Sequence, residues 1–144
     1  MVLLFYVVHL QAQSIDELKT ALVTNGQKIQ AIHHYPKNIK DGQCHHVEVT
    51  AITINGNQVT ITESWSNWLG KKANTILQGK MEGNMATGAW KSNYSSGAWS
   101  YNFSSRTGQW NKTRSTFDRF SEWKKLEFTI INAKNIKDGF FDCP

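Results

Sequence analysis

Residues 79–110 read GKMEGNMATGAWKSNYSSGAWSYNFSSRTGQW. Three Gly-x-Trp units stand in this stretch: Gly88-Ala89-Trp90, Gly97-Ala98-Trp99 and Gly108-Gln109-Trp110. Glycine supplies the positive φ or the close backbone approach that a tight turn requires, so each is expected where a turn meets a strand. Two residues later, in extended geometry, a side chain returns to the same face. The repeat therefore predicts consecutive short antiparallel hairpins, each strand carrying one large aromatic.

Working outward, the same period of two recurs. Lys28–Tyr35 places Ile29, Ala31, His33 and Tyr35 on one face. Cys44–Ile54 does so with His45, Val47, Val49 and Ala51. Asn55-Gly56-Asn57 is a hairpin turn signal, after which Val59, Ile61, Glu63 and Trp65 share a face. Strands follow at 75–81, 85–92, 97–104 and 108–114. Residues 115–124 read as a loop or short helix, and Leu126, Phe128 and Ile130 as the inner face of a last strand. Eight strands in hairpin order predict an all-β fold, an antiparallel up-and-down barrel whose closure removes exposed edges. A two-sheet sandwich is the alternative. Ahead of the strands, Ser14 with Glu17 forms a capping box, and Ile15, Leu18 and Leu22 form a stripe. A short helix over 15–23 is expected.

Residues 1–13 hold an apolar run, Val2 to Leu10, too short to span a bilayer. It reads as a secretory signal peptide without the usual basic start, leaving 14–144 as a single barrel domain. The chain is 144 residues long, with net charge +5 from scattered basic residues. That balance permits a membrane surface or an acidic polymer as partner but carries no nucleic-acid motif. Cys44 and Cys143 each follow a Lys-Asn-Ile-Lys-Asp-Gly segment, at 37–42 and 134–139. Both segments read as matching loops, close together at one end of the barrel, and the cysteines as a disulfide of a secreted or periplasmic protein.

Three sets of residues could carry chemistry. His33, His34, His45 and His46 bracket one hairpin, and neutral imidazoles are metal ligands. No third ligand completes a known spacing, so no metal or cofactor is assigned. Glu63 alternates with apolar residues and should point inward, where a carboxylate is costly unless paired; His33 or His45 is the expected partner. Trp65, Trp90, Trp99, Tyr101 and Trp110 form the third set, an aromatic lining suited to a small ligand.

The Gly-x-Trp strands across 79–114 resemble those of the calycin group, the lipocalin-like and avidin-like eight-stranded barrels. The resemblance implies a small-molecule pocket at the open end of a barrel, lined by tryptophans. The Gly-x-Trp of the first lipocalin strand has no counterpart in residues 26–35.

The leading expectation is a non-catalytic binding protein for a small apolar, aromatic or sugar ligand. A small enzyme using Glu63 with His33 or His45 as acid and base is the second. A surface module that binds a protein or an acidic glycan through lysine-bearing loops is the third. An open interior with Glu63 against a histidine would favour catalysis. One lined only by aromatics would favour carriage, and a filled one would favour surface binding.

Overall fold

The structure, a computed structural model, describes residues 15–144. The signal-peptide reading and the Ser14 end of the capping box lie outside them. The chain is helical over residues 15–22 (α1) and then enters a ten-stranded antiparallel sheet. The long strands are β1 (Gln27–His34), β2 (Gln43–Asn55), β3 (Gln58–Ser66), β4 (Lys72–Glu82), β5 (Met85–Lys91), β6 (Ser95–Asn102), β7 (Thr107–Lys112) and β9 (Phe120–Asn132). Each pairs with the next around the ring, β9 pairs with β1, and β1 with β2, so the eight close into an up-and-down barrel. The sandwich alternative is excluded by that closure.

Two short strands sit outside the ring. β8 (Arg114–Ser115) pairs with β6, and β10 (Gly139–Asp142) pairs with β2. β10 docks on residues 43–46 of β2, an edge that β3 leaves free because its own pairing reaches only Glu48. The Cys44–Cys143 disulfide, with Cα atoms 5.1 Å apart, fastens it there.

Period two holds on most strands. Ile29, Val47, Val59, Ile61, Leu77, Ala86, Trp99, Tyr101, Leu126 and Phe128 are all buried in one core. Alternate connections of a meander fall at the same end of the barrel. One end is covered by α1, whose Ile15, Leu18 and Ala21 join the core. The opposite end, reached by the loops 35–42, 67–71, 92–94 and 113–119, is the mouth.

The structure corrects four expectations. First, Gly88, Gly97 and Gly108 are not turn residues: the positive-φ glycines are Gly26, Gly42, Gly56, Gly70, Gly83 and Gly139. The Gly-x-Trp glycines pair instead across the ladder with aromatics, Gly88 with Trp99, Gly97 with Trp90 and Gly108 with Tyr101. A Cβ on Gly97 would stand 2.8 Å from the Trp90 Nε1, and one on Gly108 2.7 Å from the Tyr101 ring. Gly97 and Gly108 are thus floors on which neighbouring rings lie, whereas Gly88 lets the β4 backbone approach and the Trp99 ring lies on Gly79.

Second, a bulge between Val49 and Ala51 shifts the register, so Ile52 rather than Ala51 continues the buried face. Third, residues 120–124 are strand, the mouth end of β9, not loop or helix. Fourth, the two Lys-Asn-Ile-Lys-Asp-Gly copies are not matching loops at one end. Residues 37–42 form turns at the mouth, whereas 134–139 pass from a 3-10 turn along the wall, where Gln30 bonds both the Lys137 amide and its carbonyl.

Candidate functional site

The barrel interior is open at the mouth. A cavity of about 80 Å³ lies there, with His33, Glu63, Trp65, Trp90, Trp110 and Lys112 among the residues lining it. A single water needs roughly 10–15 Å³ of such space, and an enclosed apolar cavity of about 150 Å³ holds benzene. The enclosed part therefore accepts a group of a few heavy atoms, and a larger ligand would extend through the mouth.

Three tryptophans wall it. The indole N–H of Trp65 donates to Thr75 Oγ1 (2.9 Å), that of Trp90 to the Asn111 carbonyl (2.8 Å) and that of Trp110 to the His34 carbonyl (2.9 Å). With every N–H engaged by the protein, these rings offer the cavity apolar surface only. Trp90 and Trp110 stand 5.7 Å apart, centroid to centroid. Trp99 and Tyr101, grouped with them from the sequence, lie deeper and outside the lining. Trp99 is wholly buried, its indole N–H shared between the carbonyls of Gln78 (3.1 Å) and Ala89 (3.2 Å). Tyr101 packs on Phe103 and Phe128.

Glu63 points inward as its alternation requires, with no solvent exposure. With the proton on Nε2, His33 donates to Glu63 Oε2 at 3.0 Å. The other oxygen, Oε1, is buried and has no hydrogen-bond partner. An unsatisfied buried polar atom costs about 1–3 kcal/mol, more when charged. The site retains a group that packing alone would disfavour.

The four histidines divide as the strand period predicts. His33 and His45 are cross-strand partners inside the mouth. His34 and His46 face outward, His34 against Glu127 (2.6 Å) and His46 on the Cys44 carbonyl under Phe141. The four therefore do not converge on one ion. One cluster of three ligand-bearing residues occurs among the described residues, His34 with Cys44 and Cys143, and its sulfurs are joined to each other.

Sequence reasoning missed Lys112, Tyr35's role and β10. Lys112 is 8% exposed, its Nζ donating to Tyr35 Oη (2.9 Å) and Asp118 Oδ1 (3.0 Å). Burial lowers the ammonium pKa, and Asp118 opposes that shift. Burial, then the Asp118 charge, raises the Tyr35 phenol. Position 112 lies two residues beyond Trp110, so the period that placed the indole inside also placed the lysine there. From β10, Phe140 stacks flat on His45 at 4.7 Å and edges onto Tyr35. A four-residue strand offers too short a period to read.

Burial, with the neighbouring His33 and Lys112 charges, pulls the pKa of His45 down to about 3. The folded chain therefore leaves His45 neutral, while the unfolded chain protonates it below the ordinary value of 6.5. Between those values the unfolded state binds more protons. Its contribution to stability is fully present above pH 6.5 and is lost as the pH falls towards 3. His46 shifts in the same direction, chiefly by burial. The expected result is a denaturation midpoint that falls with acidity, with a slope up to about 1.4 kcal/mol per pH unit for each such proton. His45→Phe, which keeps the ring stack, should flatten the profile. An identical profile in that variant would contradict the assignment.

No protein-family model matches the chain, and neither a curated protein nor a solved structure is significantly similar to it. The closed eight-strand antiparallel barrel is compatible with a calycin-like fold. No helix among the described residues is long and apolar enough to cross a membrane.

Proposed function

We propose that the chain is an exported binding protein that holds a small ligand in the open end of the barrel. The apolar body of the ligand lies against Trp65, Trp90 and Trp110, and a hydrogen-bond-donating end turns towards Glu63 and His33. The observation that carries this reading is the mouth cavity itself, with indole faces for walls and, in its lining, a glutamate that has one carboxylate oxygen without a partner. A donor entering the cavity supplies the partner that the fold withholds. The disulfide supports an oxidising compartment.

The His33–Glu63 contact favours a second reading, acid–base catalysis in the same cavity. The interior is thus neither purely aromatic nor filled, and the criterion of an open interior with Glu63 against a histidine is met. Binding remains the better supported of the two for a geometric reason. Three indole walls and one acceptor are enough to hold a ligand, whereas the other acid–base candidate, His45, is stacked flat on Phe140.

Calorimetric titration against small aromatic, lipid and sugar ligands bearing N–H or O–H groups tests both. The expected result is saturable binding that Trp90→Leu weakens by roughly threefold to tenfold beyond the lost burial. Glu63→Gln should weaken donor-bearing ligands more than their methylated analogues. A ligand recovered unchanged after prolonged incubation supports carriage. Product that disappears in His33→Gln supports the enzyme. A full panel without heat or binding would count against both.

A further inference from the structure

Among the described residues the two most exposed aromatics stand at the mouth, while Trp123, Phe140 and Phe141, 46%, 37% and 39% exposed, lie along β9 and β10. Trp68 is 84% exposed, Phe117 87%, Leu69 58% and Tyr94 46%. All four stand on the mouth connections 67–71, 92–94 and 113–119. At the end covered by α1 the exposed large apolar residues include Val23, Ile54 and Met85, none aromatic. The mouth loops also touch one another. Asn67 Nδ2 donates to Tyr94 Oη at 3.1 Å, and Tyr94, Arg114 and Thr116 wall one shallow depression. The three loops follow one another around the rim, so these side chains share one side of the cavity opening.

The exposed charges along that side are cationic. Lys71, Lys72, Lys91, Arg114 and Arg119 are all exposed. Lys71, Lys91, Arg114 and Arg119 have no carboxylate partner among the described residues. Of the acids at this end, Asp118 is engaged by Lys112 and Asp138 by Lys72 and the Ser66 amide, while Asp41 is exposed on the loop 35–42. Exposed indole and phenyl rings interleaved with free cations are the pattern that enters an interfacial layer and faces acidic headgroups.

We propose that the open end of the barrel docks on an anionic membrane surface. Trp68, Leu69 and Phe117 enter the headgroup boundary, and Lys71, Lys91, Arg114 and Arg119 lie against the lipid phosphates and carboxylates. Charge complementarity selects this occupant, since that side carries cations without a carboxylate partner among the described residues. The docking stands on these surface residues alone. If the ligand reading above also holds, docking presents the cavity to the bilayer, so a ligand could pass between the two without crossing water.

Flotation of the purified protein with vesicles of phosphatidylcholine, alone or with phosphatidylserine, tests the docking. The expected result is retention on the phosphatidylserine vesicles that weakens with added salt. Trp68→Ser and Phe117→Ser should each lower the partition by roughly tenfold to a hundredfold. Lys71→Gln and Arg114→Gln should each lower it by about fivefold. These side chains are exposed, and unchanged thermal melting of the variants separates lost docking from lost folding. A wild type that stays in the aqueous phase with both vesicles overturns the proposal, as does binding that all four substitutions leave intact. So does a concentration-dependent dimer dissolved by the same substitutions without vesicle binding, which would assign that side to a protein interface. None of these outcomes depends on whether the cavity takes a ligand.

Discussion

Gly88→Ala is expected to leave the chain without a stable barrel, although it adds a single methyl group. The Cβ would stand 1.8 Å from the Gln78 carbonyl oxygen and 2.6 Å from the Gly79 Cα, both backbone atoms of the adjoining strand. A backbone ladder cannot give way as the end of a flexible side chain can. Separating β4 from β5 there would break the Gly79–Gly88 pairing and unseat Trp99, whose indole N–H reaches the Gln78 and Ala89 carbonyls. Overpacking of side chains alone costs about 1–3 kcal/mol. Adding the loss of a buried tryptophan's contacts, about 3–5 kcal/mol when the ring is truncated, would consume most of the roughly 5–15 kcal/mol that holds a domain folded. Gly83→Ala is the control. Gly83 has φ 63° and nothing within 4 Å of a Cβ, so only the left-handed backbone strain of about 1–2 kcal/mol applies. Urea denaturation of the two variants measures the difference. A Gly88→Ala protein as stable as Gly83→Ala would show that the strands do not approach as described.

The second large effect is expected from Cys44→Ser with Cys143→Ser. The bond closes a loop between positions 99 residues apart. A loop of that size is worth about 4–5 kcal/mol in the chain-entropy model, or a melting decrease of about 10–20 °C for a domain of this length. There is also a local consequence. β10 has only four residues of pairing to hold it, and its Phe140 and Phe141 cover His45 and His46. The double variant should lose protection of the β10 amides before the barrel itself unfolds. If melting falls by no more than a degree or two, β10 is held by its own contacts and the disulfide adds little.

Much of the barrel was legible because period two survives a half-buried sheet. The inward set from Ile29 to Tyr35, from Val59 to Trp65 and from Trp99 to Phe103 could be read directly. An inward carboxylate must find a partner, so the need for His33 or His45 beside Glu63 was legible, though not which of the two the structure places there. What could not be read has physical causes. The Gly-x-Trp glycines carry two needs, turn and close approach, and their sequence is the same for both; only the ladder shows Gly88 opposite Trp99 and against the β4 backbone. The Val49–Ala51 bulge adds one residue to a strand and leaves no local signature. Depth along a strand is also invisible to periodicity. Trp90 and Trp99 share the inner face, yet one walls the cavity and the other is sealed beneath it. β10 depends on a covalent bond to a distant cysteine, and the pairing of Cys44 with Cys143 was the only hint of it.

The account turns on which indoles meet a ligand, and their side-chain N–H resonances report that directly. The six tryptophans give six indole signals, assignable by single Trp→Phe substitutions. Small donor-bearing fragments are titrated into the ¹⁵N-labelled protein. The account predicts that the signals of Trp65, Trp90 and Trp110 move together and saturate, while Trp99, Trp68 and Trp123 stay in place. Shifts confined to Trp68 or Trp123, or none at any fragment concentration, would contradict a ligand site in the mouth of the barrel.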